Sequence, residues 1–385
     1  MQRMFPFQWF RVRSFQVCAL LTLYVSVFAS ATAETVLPAA KMAHIAVLLP
    51  LNSPALGAAA SAVQQGIMAA ASVHSPELPV RVYSDYDEAG SVAAIYKLAV
   101  NNGAVAVVGP LTRNGIRQLA DEKTLPVPTL ALNIIEGQTA PQLYFFGMAV
   151  EAEARQVALL ARKQGLKQAI VITDSAPLTR RLQFSFEEQW TAQGGSILRE
   201  IEYSGDTMVF ADIAAAPDTM AFFATDVEKS RTIRPYLPNN LAAYATSQLF
   251  TGNKDTLLNF DFDGIRFVDM PWLMQADQAA VMAYPHANPP LAIDQERLYA
   301  LGIDAYRLIR ALLANRMAQP LDGVTGRIHL SNHTFQREAL PALFVQGHAQ
   351  STEAPINQGV QMFPDQFKNA SHVEAALPMG FSPKP

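Results

Sequence analysis

Ten residues suited to gripping a small polar ligand stand just past short apolar runs: Asn52, Ser53, Asp85, Pro110, Thr112, Asn133, Asp174, Ser247, Asp269 and Trp272. The chemistry they offer is recognition, with carboxylates for an ammonium, hydroxyls and amides for a carboxylate, and an indole as an apolar wall. An amino-acid binder needs a carboxylate for the ligand's ammonium and donors for its carboxylate. Ser53, Thr112, Asn133 and Asp174 supply part of that set, and no arginine is clearly placed beside them. Turn-forming residues also gather in loops for conformational reasons alone. The shared position at strand ends is the stronger signal, because open parallel sheets bind ligands outside the carboxyl ends of their strands. For Trp272, with Met270, lining a cleft and packing a hinge are equally consistent with the sequence.

Catalytic patterns are not found. There is no G-x-S-x-G elbow, no P-loop and no G-x-G-x-x-G after a strand. His329 and His333 are four apart, but in a strand and turn that spacing aligns nothing, and no metal site is expected. Asp261-Phe-Asp-Gly264 lacks the further oxygens of a calcium loop and reads as a turn. Asp85 and Asp87 read as solvated turn residues. No enzyme, cofactor or metal is predicted.

The elements that position the strand-end residues follow from periodicity. The apolar run 44–49, ended by Pro50, suits a strand buried on both faces. Strands at 80–83, 104–108 and 128–132 alternate with helices at 55–72, 91–101 and 114–122. The pattern then restarts, with strands at 143–146, 169–172, 196–203, 219–224 and 241–245 and helices at 150–164, 179–193 and 227–234. Short connections between alternating strands and helices predict doubly wound sheets. Ile265, Phe267 and Val268 predict one more strand, and Pro271 a departure from the sheet. A long helix at 297–316 buries Leu301, Ile303, Leu308 and Ile309. Leu343–Val345 predicts an antiparallel strand.

The expected division is a signal peptide (1–33), a linker (34–43), lobe 1 (44–147), lobe 2 (148–270), a return to lobe 1 (271–325), closing strands of lobe 2 (326–349) and a poorly ordered tail (350–385). Arg3, Arg11 and Arg13, an apolar core at 17–28 and Ala31-Thr-Ala33 make the export signal. Loss of its three arginines takes the net charge from −4 to −7. With half the residues hydrophobic and no basic stripe, nucleic-acid binding is not expected. Cys18 is the only cysteine, and Val17 before it makes a poor lipobox.

Several segments resemble the penicillin-binding protein activator family (LppC/LpoA lipoproteins), over about residues 44–348. They are Ile45-Ala-Val-Leu-Leu-Pro-Leu51, Val108-Gly-Pro-Leu111, Leu130-Ala-Leu-Asn133, Tyr244-Ala-Thr-Ser-Gln-Leu249, Gly264-Ile-Arg-Phe-Val-Asp-Met-Pro-Trp-Leu273, Arg297-Leu-Tyr-Ala-Leu-Gly-Ile-Asp-Ala-Tyr-Arg307 and Leu321-Asp-Gly-Val-Thr-Gly326. The first two are general to type I periplasmic binding proteins, and the last four are distinctive. The resemblance implies an α/β fold, type I periplasmic binding protein-like, of two doubly wound lobes with hinge crossovers. It implies a periplasmic, non-enzymatic regulator of peptidoglycan synthesis whose partner is a class A penicillin-binding protein. Outer-membrane association is implied too, without a good lipobox here. Longer members carry a helical-repeat domain before this one, which is not expected in this chain. The other reading is an ABC-transporter-type solute-binding protein with a small ligand, such as an amino acid, in the interlobe cleft.

Overall fold

The computed structural model describes residues 42–74, 78–84, 91–137, 140–254 and 256–355. The expected signal peptide, most of the linker and the candidate Asp85 lie outside the described residues. The first sheet grows around β1 (His44–Leu49), all six residues of which are buried. A strand so buried sits inside its sheet, with helices covering both faces and neighbours on both edges. Here they are β2 (Val80–Ser84) and β3 (Ala104–Val108), followed by β4 (Thr129–Ala131) and β5 (Leu143–Phe146), all parallel. Helices α1 (Gly57–Val73), α2 (Ser91–Asn101) and α3 (Arg113–Ala120) make the crossovers. Thr112 accepts the Gly115 N–H at 3.1 Å and so starts α3.

The second sheet repeats the plan. β6 (Gln168–Thr173) lies between β7 (Ser196–Glu202) and β8 (Thr219–Phe223), and β9 (Ala242–Ala245) and β10 (Ile265–Asp269) follow, all parallel. Its helices are α4 (Val150–Lys163), α5 (Pro177–Ala192), α6 (Val227–Ile233) and the short α7 (Thr256–Asn259). α4 has Glu151 and Glu153 in its first turn and Arg162 and Lys163 in its last, which suits the helix dipole. On α5, Phe186 and Trp190 stack at 5.5 Å, and Phe186 lies 4.1 Å from Phe222 of β8. That contact fixes the helix to its sheet.

Beyond β10 the chain forms α8 (Pro271–Met274), α9 (Ala279–Met282) and α10 (Ile293–Leu313). The expected 297–316 helix therefore starts four residues earlier, after which Asn315 in the left-handed region (φ 51°) ends the run. α10 is buried nearly all round from Glu296 to Ile309. It lies against α1 so closely that a Cβ on Gly66 would sit 1.9 Å from the Tyr299 carbonyl oxygen, and one on Gly302 would sit 2.2 Å from that of Val63. Only glycine permits this approach, and the two helices share one core with β1, β3 and β4.

The last strands correct the sequence reading. β11 (Leu321–Asp322), β12 (Arg327–Ser331) and β13 (Thr334–Glu338) extend the first sheet, with β13 parallel to β5. Of the segment 326–349 assigned to lobe 2, only the part from Leu340 on joins the second sheet. There β14 (Leu340–Val345) runs antiparallel to β10, and β15 (His348–Ser351) pairs with β14. Gln350 and Ser351, expected in a disordered tail, are strand residues; residues 356–385 lie outside the described residues. β13 escapes notice because only Phe335 of its five residues is buried. The β12–β13 hairpin turns on Asn332 and His333, both left-handed (φ 46° and 65°), as a two-residue primed turn requires. The chain thus passes between the sheets three times, after β5, after β10 and after β13.

Candidate functional site

Each of the three crossovers carries polar side chains that bond across it, buried at the first two and half-buried at the third. Glu153 stands in the first turn of α4, just past the first crossover. Its Oε1 accepts from Arg337 of β13 at 2.6 Å, and its Oε2 accepts from the Ser247 N–H at 3.1 Å and hydroxyl at 2.6 Å. Asp269 ends β10 at the second crossover and is 1% exposed. Its carboxylate meets Arg297 of α10 at 2.7 Å and accepts the Met270 N–H at 2.8 Å. Burial pushes the Asp269 carboxyl pKa up, and the Arg297 guanidinium and the Met270 N–H oppose that shift. Arg297 also donates to the carbonyls of Ser247 and Phe250 at 3.0 and 2.9 Å. At the third crossover, Gln156 of α4 exchanges two hydrogen bonds with the backbone of Ala339.

The network continues inward. Arg337 donates to the Thr325 carbonyl at 3.2 Å, and Asp304 of α10 accepts from the Thr325 N–H and hydroxyl at 2.8 and 2.7 Å. Arg307 pairs with Asp304 at 2.9 Å. Two of these ion pairs, Glu153–Arg337 and Asp269–Arg297, join elements of different sheets. Removing one partner of such a buried pair leaves an uncompensated charge, at a cost of about 3–5 kcal/mol.

The ten strand-end candidates divide into groups. Ser247 and Asp269 belong to the crossover network. Trp272 abuts it: its indole N–H donates to Glu296 at 2.8 Å, and its ring packs on His286 and Tyr299 at 4.2 and 5.5 Å. At 3% exposed, it sits in the core of the first sheet. Asn52 donates to the Ser84 hydroxyl at 2.8 Å and ties the ends of β1 and β2 together. Ser53 accepts the Leu56 N–H, and Pro110 follows a cis bond and accepts the Leu132 N–H at 2.9 Å. Asn133 bonds Leu111 and Ile134. Asp174, at the end of β6, accepts from Lys229, Thr179 and the Ala176 N–H. Burial alone would raise its pKa, but those bonds hold it below the ordinary carboxylate value. A carboxylate so engaged has little left to offer a ligand's ammonium.

The sequence reading missed a second feature. A groove of about 750 Å³ opens beside the first and third crossovers. α3 and the 134–136 loop line one side, α4 and Arg181 of α5 the other, and β13 its floor. Arg113, Arg117, Arg155, Arg181 and Arg337 all line it. The signal was present in sequence, since Arg113 and Arg117 stand four apart on α3 and share one face.

A family model described as "LppC putative lipoprotein" matches residues 32–216 and 208–342. The penicillin-binding protein activator LpoA of Pantoea ananatis is 26% identical over 303 residues, 65% of this chain and 44% of that relative. The LpoA of Yersinia pseudotuberculosis is 26% identical over 400 residues, 79% of this chain and 60% of that relative. The chain spans about half the length of the curated relatives it matches. Among solved structures, "a putative branched-chain amino acid ABC transporter" from Chromobacterium violaceum has a TM-score of 0.70 at 35% identity, over 79% of this chain and 100% of that one. The C-domain of LpoA from Haemophilus influenzae, described as a regulator of PBP1A, has a TM-score of 0.68 at 24% identity, over 80% and 100%. These likenesses bear out the two-lobed, type I periplasmic binding protein-like fold. With its model covering most of the chain from residue 32 to 342, this protein belongs to the LppC family.

Proposed function

We propose that the chain is a non-enzymatic periplasmic regulator that binds a class A penicillin-binding protein and stimulates its peptidoglycan transpeptidase activity. The observation that carries this reading is the state of the interlobe region. Glu153–Arg337 and Asp269–Arg297 stitch the lobes at their crossovers, and Asp174 is bonded internally. A protein that captures solutes by hinge closure needs freedom at its crossovers and open polar groups at its strand ends. A scaffold presented to a partner needs neither. Curated relatives named as penicillin-binding protein activators support the same reading.

The second reading, a solute-binding protein for a small ligand such as an amino acid, is favoured by one observation. The Chromobacterium violaceum structure, similar over its whole length, carries a branched-chain amino acid transporter name. The test pairs two assays on the exported protein. Capture of class A penicillin-binding proteins from the same organism, with raised transpeptidase turnover, is expected, together with an unchanged melting temperature in leucine, isoleucine, valine and the other amino acids. A rise of many degrees with one amino acid and no capture would replace the regulator with the solute binder.

A further inference from the structure

The geometry points to the arginine-lined groove between α3 and α4 as a binding site for an acidic peptide. Charge distribution is the first ground. The chain as a whole is net negative, yet five arginines line this one groove. General basicity does not explain that concentration.

The partners of those arginines are the second ground. Arg337 is committed to buried Glu153 at 2.6 Å. Among the described residues, Arg155 pairs with Glu188 at 3.3 Å, both exposed, and Arg181, exposed, pairs with the half-buried Glu151 at 3.2 Å. Such pairs are worth about 0–1 kcal/mol, so an incoming carboxylate displaces them readily. Arg113 and Arg117 are exposed, and no ion pair engages either among the described residues. Two guanidiniums on one helix face, opposite two lightly held ones, offer several planar forks that match carboxylates.

The rest of the lining selects between anions. Glu136, Glu151 and Glu338 also face the groove. They oppose a compact dianion such as phosphate, which concentrates charge, more than single carboxylates spread along a chain. They also accept hydrogen bonds from amide N–H groups, which a peptide has and phosphate lacks. Ile134, Ile135 and Leu159 give apolar wall for side-chain methylenes. The volume of about 750 Å³ admits a segment of several residues. This assignment does not rest on the activator reading.

Fluorescence anisotropy of labelled hexaglutamate on the full exported chain tests it, with labelled hexaglutamine as the neutral probe. The wild type should bind hexaglutamate and not hexaglutamine. R113E/R117E, on an exposed face, should weaken binding by at least about tenfold. K163E/K167E makes the same charge change at exposed sites away from the groove and should leave the affinity within about twofold. Circular dichroism of each variant reports folding. Equal binding of both peptides, an unaltered R113E/R117E, or an equal loss in K163E/K167E would overturn the site. Competition by inorganic phosphate at concentrations matching the peptide's carboxylates would overturn the peptide assignment.

Discussion

Two regions that adjoin in space treat arginine in opposite ways. Around the crossovers, Arg297, Arg307 and Arg337 are buried and each meets a carboxylate within 3 Å. In the neighbouring groove, Arg113 and Arg117 are exposed and unmatched among the described residues, and Arg155 and Arg181 are loosely matched. Burial separates the two cases. A guanidinium out of water needs a fixed partner, so the crossover arginines specify how the lobes meet. A solvated guanidinium needs none, so the groove arginines are free to serve something outside the chain.

The contrast breaks most visibly if a crossover partner is removed. Among the described residues, Asp269→Leu leaves Arg297 with only the exposed Asp294 as a carboxylate partner, and Arg337→Leu leaves Glu153 buried without its cation. Each should cost about 3–5 kcal/mol in urea unfolding. Replacing Glu153 and Arg337 together by Leu and Met should recover part of that loss, because no orphan charge remains.

Next in size is His74, at the far end of α1 from the crossovers, where Tyr284 bonds its ring at 2.7 Å. Burial, with Arg310 and Arg307 nearby, lowers its pKa from 6.5 to about 4. The unfolded chain therefore takes up this proton first as pH falls. Its contribution to stability is whole above pH 6.5 and lost as pH drops toward about 4. The loss is on the order of 3 kcal/mol, and His74→Gln should flatten that part of the stability–pH curve.

Lys229→Met should cost about 1 kcal/mol at neutral pH, since the ammonium is partly solvated. Asp174 lies below its ordinary value of 3.8 because of the bonds it receives, so its contribution is present above that pH and lost as pH falls through the lowered value. The variant should therefore unfold at higher pH on acid titration. Smallest of all, R113E/R117E should change stability by no more than about 0.5 kcal/mol, even where it abolishes peptide binding. A large loss would place those arginines with the crossover set.

Much of the fold was legible in the sequence because its signals are local. The unbroken apolar run of β1, the alternation of strands and helices and Pro271 at a strand end all lie within a few residues of what they determine. Ser247, Asp269 and Trp272 were singled out as strand-end ligand candidates for the same reason. Their partners were not, because Glu153 bonds Ser247 across 94 residues, Arg337 across 184, and Arg297 reaches Asp269 across 28. One trace was available. Glu153 stands four and eight residues before Val157 and Ala161, on the buried face of α4, and an acid on an apolar face implies a buried cation. β13 was missed because one buried residue in five gives no alternation to read.

The central claim is that the lobes are held at their crossovers and serve as a fixed surface. A spin-label distance between Lys123→Cys in the first lobe and Lys167→Cys in the second, with Cys18→Ser, tests it directly. The account predicts one narrow distance, the same with and without each amino acid. A second, shorter distance that appears on adding one amino acid would contradict it.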